Sequence, residues 1–146
     1  MTKTALCATL GAIGGAIMGA FGRWDASLTA LVAFMTVDYL SGLIVAAVFK
    51  KSGKSENGGL ESRAGLKGLT RKGMILALVF VAAQIDMLIG STFVRNAAVI
   101  GFAVNEALSI VENAGLMGVP MPPAITNALE VLKRKADNAA EPKDGK

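Results

Sequence analysis

The chain has 146 residues, of which 53% are hydrophobic and 18% are charged, and its formal net charge is +4. A water-soluble domain of this size needs a larger polar fraction to cover its core, so the composition excludes an ordinary soluble globular domain. The chain has one cysteine and no histidine, which leaves no ligand set typical of zinc or a redox metal.

The first apolar run lies between Lys3 and Arg23, where 19 consecutive residues carry no charge. About 20 apolar residues are needed to cross a bilayer as a helix. The run could instead be a cleaved signal peptide, although it is longer than the usual apolar core of such signals. Small residues on one face would let helix backbones approach closely in lipid, either within one chain or between copies. The glycines of this face are Gly11, Gly15 and Gly19.

The second apolar run, residues 26–49, contains a single charge, Asp38, close to its middle. Either Asp25, just before this run, or Ser27, its second residue, could cap the predicted helix. An ionised carboxylate at the centre of a membrane helix is costly, so Asp38 is expected to face the bundle interior, another subunit or water. Gly42, one turn further, would let a neighbouring backbone approach that carboxyl.

Residues 50–72 are rich in glycine and serine and include seven basic and two acidic residues. This segment is predicted to be a polar linker between spans. Its positive charge would orient the protein, and it could also bind anionic lipid headgroups. Nucleic-acid binding is not expected, because the charges adjoin membrane spans and no aromatic platform accompanies them.

The third apolar run, residues 73–94, again contains one charge, Asp86, with Gly90 one turn later. The spacing matches that of Asp38 and Gly42. The two carboxyls could hold helices together through hydrogen bonds, line a pore or a subunit contact, or relay protons. The residues alone leave these three roles open.

The fourth run, residues 96–114, ends in the polar stretch "VNEALSIVENAG". On a helix its polar residues fall within an arc of about 120° and therefore form a stripe. Such a stripe must meet another helix, a water-filled space or the membrane surface. A helix lying flat on the membrane usually carries Lys or Arg on its polar face, and this one does not. The stripe consists of Asn105, Glu106, Ser109, Glu112 and Asn113.

After a proline-containing turn, "AITNALEVLKRK" predicts a short amphipathic helix with Ile125, Leu129 and Leu132 on one face. Residues 136–146 are predicted to be a polar tail. The chain as a whole is predicted to be one all-α integral membrane domain, residues 1–135, with three to four transmembrane helices and a short cytoplasmic C-terminal helix. The predicted spans are residues 4–22, 26–49, 73–94 and 96–114.

The topology follows from the positions of the basic residues. If the N-terminus is cytoplasmic and all four runs cross the membrane, 13 of the 15 basic residues lie inside. Only Arg23 and Arg95 then lie outside, in agreement with the positive-inside rule. The sequence therefore predicts a multi-pass protein of the cytoplasmic membrane with both termini in the cytoplasm, although residues 96–114 could also lie at the interface.

Four stretches resemble the toxin-secretion/phage-lysis holins: "VDYLSGLIVA", "GLKGLTRK", "AQIDMLIG" and especially "VNEALSIVENAGLMGVPMPPAITNALEVLK". In that family an Asp-x-x-x-Gly helix, a Lys-Gly loop and a second membrane Asp come first. An Asn-Glu-x-x-Ser-x-x-Glu-Asn helix then precedes Gly-x-Pro-x-Pro. The matching positions are Asp38, Gly42, Lys67, Gly68, Lys72, Asp86, Asn105, Glu106, Ser109, Glu112, Asn113, Gly118, Pro120 and Pro122.

The resemblance implies a homo-oligomer that forms lesions in the bacterial cytoplasmic membrane. Through these an endolysin or a large toxin would pass, without necessarily touching the protein. Asp38, Asp86 and the stripe would then line the pore or a subunit contact. The residues expected to form helix-packing contacts are Gly11, Gly15, Gly19, Gly42 and Gly90.

Two other functions remain open from the residues. One is a small ion-coupled transporter or channel that uses Asp38 and Asp86. The other is a membrane scaffold that recruits a partner through the basic linker. An enzyme is not expected, because the sequence shows no nucleophile with a base, no phosphate loop and no cofactor motif.

Overall fold

A computed structural model describes residues 2–140, and within this range the chain forms helices and no strand. Four of the helices are long and apolar enough to cross a membrane, which confirms the predicted all-α membrane architecture. The second helix continues as one π-helical turn, Val45–Phe49. The helices are α1 (Lys3–Ala20), α2 (Ala26–Ile44), α3 (Ser62–Ile89), α4 (Phe93–Leu116) and α5 (Pro123–Ala140).

The start of α3 differs most from the prediction. The helix begins at Ser62, eleven residues before the predicted third span, and the polar linker is reduced to residues 50–61. The prediction placed the boundary where hydropathy rises, but a helix can extend beyond the apolar part of a span into water. The intervening sequence contains Arg, Leu and Lys, which are good helix formers. The basic side chains of this extension therefore have fixed helical positions.

The core lies where α2, α3 and α4 meet. α4 packs against α2, α3 and α5, so it is the central helix of the bundle. On α2 the buried apolar residues recur at intervals of three and four, which places them on one face of the helix. The buried core consists of Leu28, Leu31, Met35, Val79, Val99 and Ala103.

The first helix stands beside this bundle and has no buried residue. Among the helices it packs only against α3, and the Gln84 amide donates a hydrogen bond to the Ala20 carbonyl at 3.0 Å. A Cβ added at any glycine of the small-residue face would meet nothing within 4 Å. Gly11, Gly15 and Gly19 therefore pack against no other element among residues 2–140, and contact between copies remains a proposal.

The start of α2 and the end of α3 are each fixed by one residue. Asp25 caps α2 by accepting a hydrogen bond from the Leu28 amide at 3.0 Å, one of the two predicted capping choices. Gly90 ends α3 in the left-handed conformation, with φ of 68°. A Cβ at Gly90 would meet nothing within 4 Å, so within the chain this glycine is a helix terminator and not a packing residue.

Replacing Gly90 with alanine is expected to destabilise the protein by about 1–2 kcal/mol, because a side chain disfavours the left-handed conformation. Gly73→Ala is the matched control. Gly73 lies inside α3 with open space at its Cβ position, so this change is expected to stabilise the helix by up to about 1 kcal/mol. Denaturant unfolding in detergent compares the two variants, and an equal effect in both would contradict this role of Gly90.

The fifth helix packs against α4 and has no buried residue. Its half-buried residues are Leu129, Leu132, Ala136 and Ala139, which recur at helical spacing, whereas Ile125 is exposed. Gly118 permits the turn before it, with φ of 80°. The helix continues to Ala140, into the predicted polar tail, and the rest of that tail lies outside the described residues.

Candidate functional site

One buried ionic cluster joins the three core helices. Lys72 of α3 donates to the Asp38 carboxylate of α2 at 2.7 Å and also pairs with the Glu106 carboxylate of α4. Asp38 and Glu106 are 4% and 7% exposed, respectively. A buried carboxylate in a membrane protein requires a partner, and here a single ammonium group serves two of them.

The length of Lys72 explains how it reaches the cluster. The residue lies where α3 changes from its basic first turns to its apolar span, ten residues after Ser62. A lysine side chain can bury its methylene stem along an apolar surface and place its ammonium several ångströms away. Lys72 thereby meets Asp38, which lies in the second half of α2.

Asn113 adds a fourth member to the cluster. Its amide nitrogen lies 3.2 Å from Asp38 Oδ1 and 2.8 Å from Ser41 Oγ. The approach is close because α2 has a glycine opposite: a Cβ at Gly42 would lie 3.8 Å from that amide nitrogen. Gly42 therefore lies at the contact between α2 and α4.

The structure divides the predicted polar stripe of α4 into two rows. Glu106 and Asn113 are buried, whereas Asn105 and Glu112 are exposed. Each pair is separated by seven residues, about two helical turns, and the two rows differ by about 100° around the axis. Ser109 is half-buried and lines a cavity beside the cluster. One row thus holds the bundle together, and the other faces away from it.

Asp86 has a structural role at the opposite end of the bundle. Its carboxylate accepts hydrogen bonds from the backbone amides of Val94 and Arg95, at 3.0 and 2.8 Å, and from the Ser91 hydroxyl. The N-cap residue of α4, Thr92, makes no capping hydrogen bond through its side chain. Asp86 therefore satisfies the free amides at the start of α4 from the end of α3.

Arg95 is the main residue that sequence reasoning missed. It is 5% exposed, and its guanidinium donates to the Phe21 and Arg23 carbonyls at 2.8 and 2.7 Å. It also forms two hydrogen bonds with the Asp25 carboxylate, at 2.9 and 3.2 Å. The only signal in the sequence was that Arg95 is a single basic residue next to an apolar run and that Asp25 lies in another turn between runs. Arg95 links the turn between α1 and α2 to the start of α4.

Arg95 also makes the stability of this end depend on pH. Its hydrogen bond holds the pKa of the Asp25 carboxyl below its ordinary value of 3.8. A carboxyl with a lowered folded pKa stabilises the fold above its unfolded pKa, and this contribution is lost as pH falls through the folded value.

We therefore expect Asp25→Asn to lose less stability than the wild type when the pH is brought from neutral to below 3.8. Asp137→Asn, at an exposed position on α5, is the control and should keep the wild-type acid dependence. Unfolding free energies at the two pH values test this. An unchanged acid dependence in Asp25→Asn would contradict the role given to the Asp25–Arg95 pair.

These contacts bear on the possible chemistry. No group of three or more His, Cys, Asp or Glu suited to hold a metal occurs within residues 2–140. Asp38 is engaged by Lys72 and Asn113, and Asp86 is engaged by the start of α4. An ion-coupled transporter that uses these two carboxylates is therefore not favoured.

Comparison with known proteins finds one matching family model and several relatives of similar length. Residues 15–134 match the model of the bacteriophage holin family. An uncharacterized protein of Clostridium perfringens is 38% identical over 79% of this chain and 83% of its own length. A Listeria monocytogenes protein is 35% identical, with 89% of each chain covered. A Bacillus phage phi105 protein named "probable holin" is 34% identical over 74% of this chain and 75% of its own. No solved structure matches the chain.

Proposed function

The chain belongs to the bacteriophage holin family, and from that premise we propose that its copies assemble in the bacterial cytoplasmic membrane and open lesions. An endolysin or a large toxin would then leave the cytoplasm through these lesions, with lysis or export as the result. Direct contact with the released protein is not required, because the lesion only removes the barrier.

The observation that supports assembly most directly is the position of Asn105. It lies about 18 Å along the axis from the start of α4, about midway along that helix, and its side chain is exposed. No hydrogen bond from any described residue reaches that side chain. An amide without a partner is unfavourable in hydrocarbon, and a second copy or a water-filled lumen would satisfy it. Glu112 lies on the same outward row.

The first helix supplies the second contact surface of the proposed assembly. Its glycine face is open within the chain, and a small-residue face allows close helix–helix packing in lipid. In the proposed assembly α1 packs against another copy, and the outward row of α4 faces a neighbour or the lumen. The inward carboxylates Asp38 and Asp86 would hold the shape of each subunit.

The proposed orientation has both termini in the cytoplasm. It places the exposed basic residues of segment 50–71 at the inner surface, where they would contact anionic headgroups. Labelling of single cysteines at position 100 and in the tail, after removal of Cys7, from each side of the membrane tests this orientation. A tail labelled only from outside would contradict it.

The function is tested by controlled expression in a bacterium that contains a cytoplasmic endolysin. The expected result is a sudden loss of membrane potential followed by release of a folded cytoplasmic enzyme. A transporter or narrow channel would collapse the potential without releasing the enzyme. If abundant membrane-inserted protein leaves the potential intact, the proposed function is wrong.

Asn105→Leu tests the assembly surface. We expect enzyme release to fall by about threefold, since a hydrogen bond between membrane helices contributes on average about 0.6 kcal/mol. Asn127→Leu, at an exposed position on α5, is the matched control and should release enzyme as the wild type does. Equal release by the two variants, at equal membrane abundance, would contradict the role of Asn105.

A further inference from the structure

A cavity of about 360 Å³ lies next to the Lys72 cluster. It is bounded by α2, the first turns of α3, α4 and the linker of residues 50–61. Its volume is within the range of small-ligand sites. The cavity therefore joins the buried carboxylates of the bundle to the end of the molecule where the basic residues lie.

The floor of this cavity has one more acidic than basic side chain. Asp38 and Glu106 line it, and Lys72 is the cation that contacts them. Lys72 pairs with Oε2 of Glu106, and no donor among residues 2–140 hydrogen-bonds to Oε1. A second ammonium group at the floor could therefore donate a hydrogen bond to Oε1 of Glu106 and neutralise the remaining negative charge.

The rim has the opposite character. Lys54, Lys67 and Arg71 line it with exposed side chains, and none forms an ion pair with any described residue. Glu61 is the acidic residue of the rim, and it accepts a hydrogen bond from the Glu56 amide. Ser55 also lines the cavity, and its buried hydroxyl has no hydrogen-bond partner among residues 2–140. Three cations and an unused hydroxyl suit a phosphate group.

We propose that this cavity binds a phosphate ester that also carries a primary ammonium group, the chemistry of a phosphatidylethanolamine headgroup. The ammonium group reaches the carboxylates of the floor, and the phosphate meets the rim. The same chemistry could come from a membrane lipid or from soluble O-phosphoethanolamine. The proposal goes beyond the holin role and does not depend on it.

This arrangement discriminates between related headgroups. A choline headgroup keeps the phosphate, but its quaternary ammonium has no N–H donor for Glu106. A glycerol headgroup keeps the phosphate and lacks the positive charge. Choline therefore loses the hydrogen bond to Glu106, and glycerol loses the ion pair with it, and each loss corresponds to about a tenfold loss in affinity or more.

Native mass spectrometry of the full-length protein in detergent tests the proposal. Equal amounts of phosphatidylethanolamine, phosphatidylcholine and phosphatidylglycerol with identical acyl chains are offered together. We expect phosphatidylethanolamine to be retained about tenfold over either competitor. Equal retention of phosphatidylethanolamine and phosphatidylcholine would overturn the proposal.

Variants test which residues bind the ammonium group of the ligand and which bind its phosphate. Glu106→Gln should abolish the preference for phosphatidylethanolamine over phosphatidylcholine, with folding checked by thermal unfolding. Arg71→Gln and Ser55→Ala leave the buried ion pairs intact and should weaken both lipids by about threefold or more. Arg63→Gln is the control, because Arg63 is exposed on the same helix and does not line the cavity. An equal loss in Arg63→Gln and Arg71→Gln would overturn the assignment of the rim.

A competition experiment distinguishes the source of the ligand. Displacement of phosphatidylethanolamine by O-phosphoethanolamine would support a site that binds the headgroup alone. No displacement, together with the tenfold lipid preference, would support a site that needs the membrane lipid. Displacement of the lipid by inorganic phosphate at the same concentration as by O-phosphoethanolamine would overturn the proposal, because the ammonium group would then contribute nothing.

Discussion

Replacement of Lys72 with methionine is expected to reduce the unfolding free energy by about 3–5 kcal/mol. The substitution removes the ammonium that contacts both Asp38 and Glu106, and it leaves two buried carboxylates side by side. Burial of an uncompensated charge is what makes removal of one partner of a buried pair so costly. Methionine keeps most of the apolar stem, so the loss reports the charge and not the packing.

Unfolding of the purified protein in detergent, by denaturant titration, measures this loss. Lys51→Met is the matched control, because Lys51 is exposed in the linker and forms no ion pair with any described residue. We expect the control to change stability by less than about 0.5 kcal/mol. Equal stabilities of the two variants would show that Lys72 does not hold the core helices together.

A triple variant separates charge from shape. Asp38→Asn and Glu106→Gln, combined with Lys72→Met, remove all three charges while keeping similar volumes. Because replacement of a whole buried ionic group is often close to neutral, we expect the triple variant to regain at least half of the stability lost in Lys72→Met. A triple variant less stable than Lys72→Met would indicate that the loss comes from packing.

Replacement of Arg95 with methionine is expected to have an effect of similar size, about 3–5 kcal/mol, at the other end of the bundle. The guanidinium contacts the Asp25 carboxylate and the Phe21 and Arg23 carbonyls, all within 3.2 Å. Its loss leaves the two carbonyls without this donor, removes the ion pair from Asp25 and frees the turn that joins α1 to α2. We therefore also expect faster proteolysis at residues 21–25.

Arg23→Met is the control for this experiment. The Arg23 side chain is 78% exposed, and it lies 3.5 Å from the same Asp25 carboxylate. An exposed pair of this kind contributes at most about 1 kcal/mol, so the control should remain close to the wild type. Arg95→Lys should lie between the two, because lysine keeps the charge but not the planar set of donors. Comparable losses in Arg95→Met and Arg23→Met would contradict the central role of Arg95.

The two charged centres differ in how much of them could be predicted. Asp38 and Asp86 were identified because a single charge within an apolar run is unusual. The partner of Asp38 was not identified, because Lys72 stood among seven basic residues of an apparent linker. The helical extension of α3 is what brings Lys72 to Asp38, and hydropathy does not detect a helix in polar sequence. Arg95 was likewise counted only as an outside charge.

The stripe of α4 shows a second limit of sequence reasoning. Helical periodicity placed Asn105, Glu106, Glu112 and Asn113 on one broad face, and that face exists. Periodicity could not tell where the neighbouring helices cross it. The packing of α2 and α3 buries Glu106 and Asn113 and leaves the adjacent row exposed. Two rows about 100° apart therefore have different environments although they are similar in composition.

The sequence by itself determined the order of the apolar runs, of which it predicted three or four to span the membrane, and the carboxylates that they carry. These properties are local, because about 20 consecutive residues decide whether a helix can cross hydrocarbon. The tertiary structure decided which cation meets which carboxylate. Asp38 and Lys72 are 34 residues apart, and Asp25 and Arg95 are 70 apart. Such pairs depend on helix rotation and on the length of each helix, which local hydropathy does not specify.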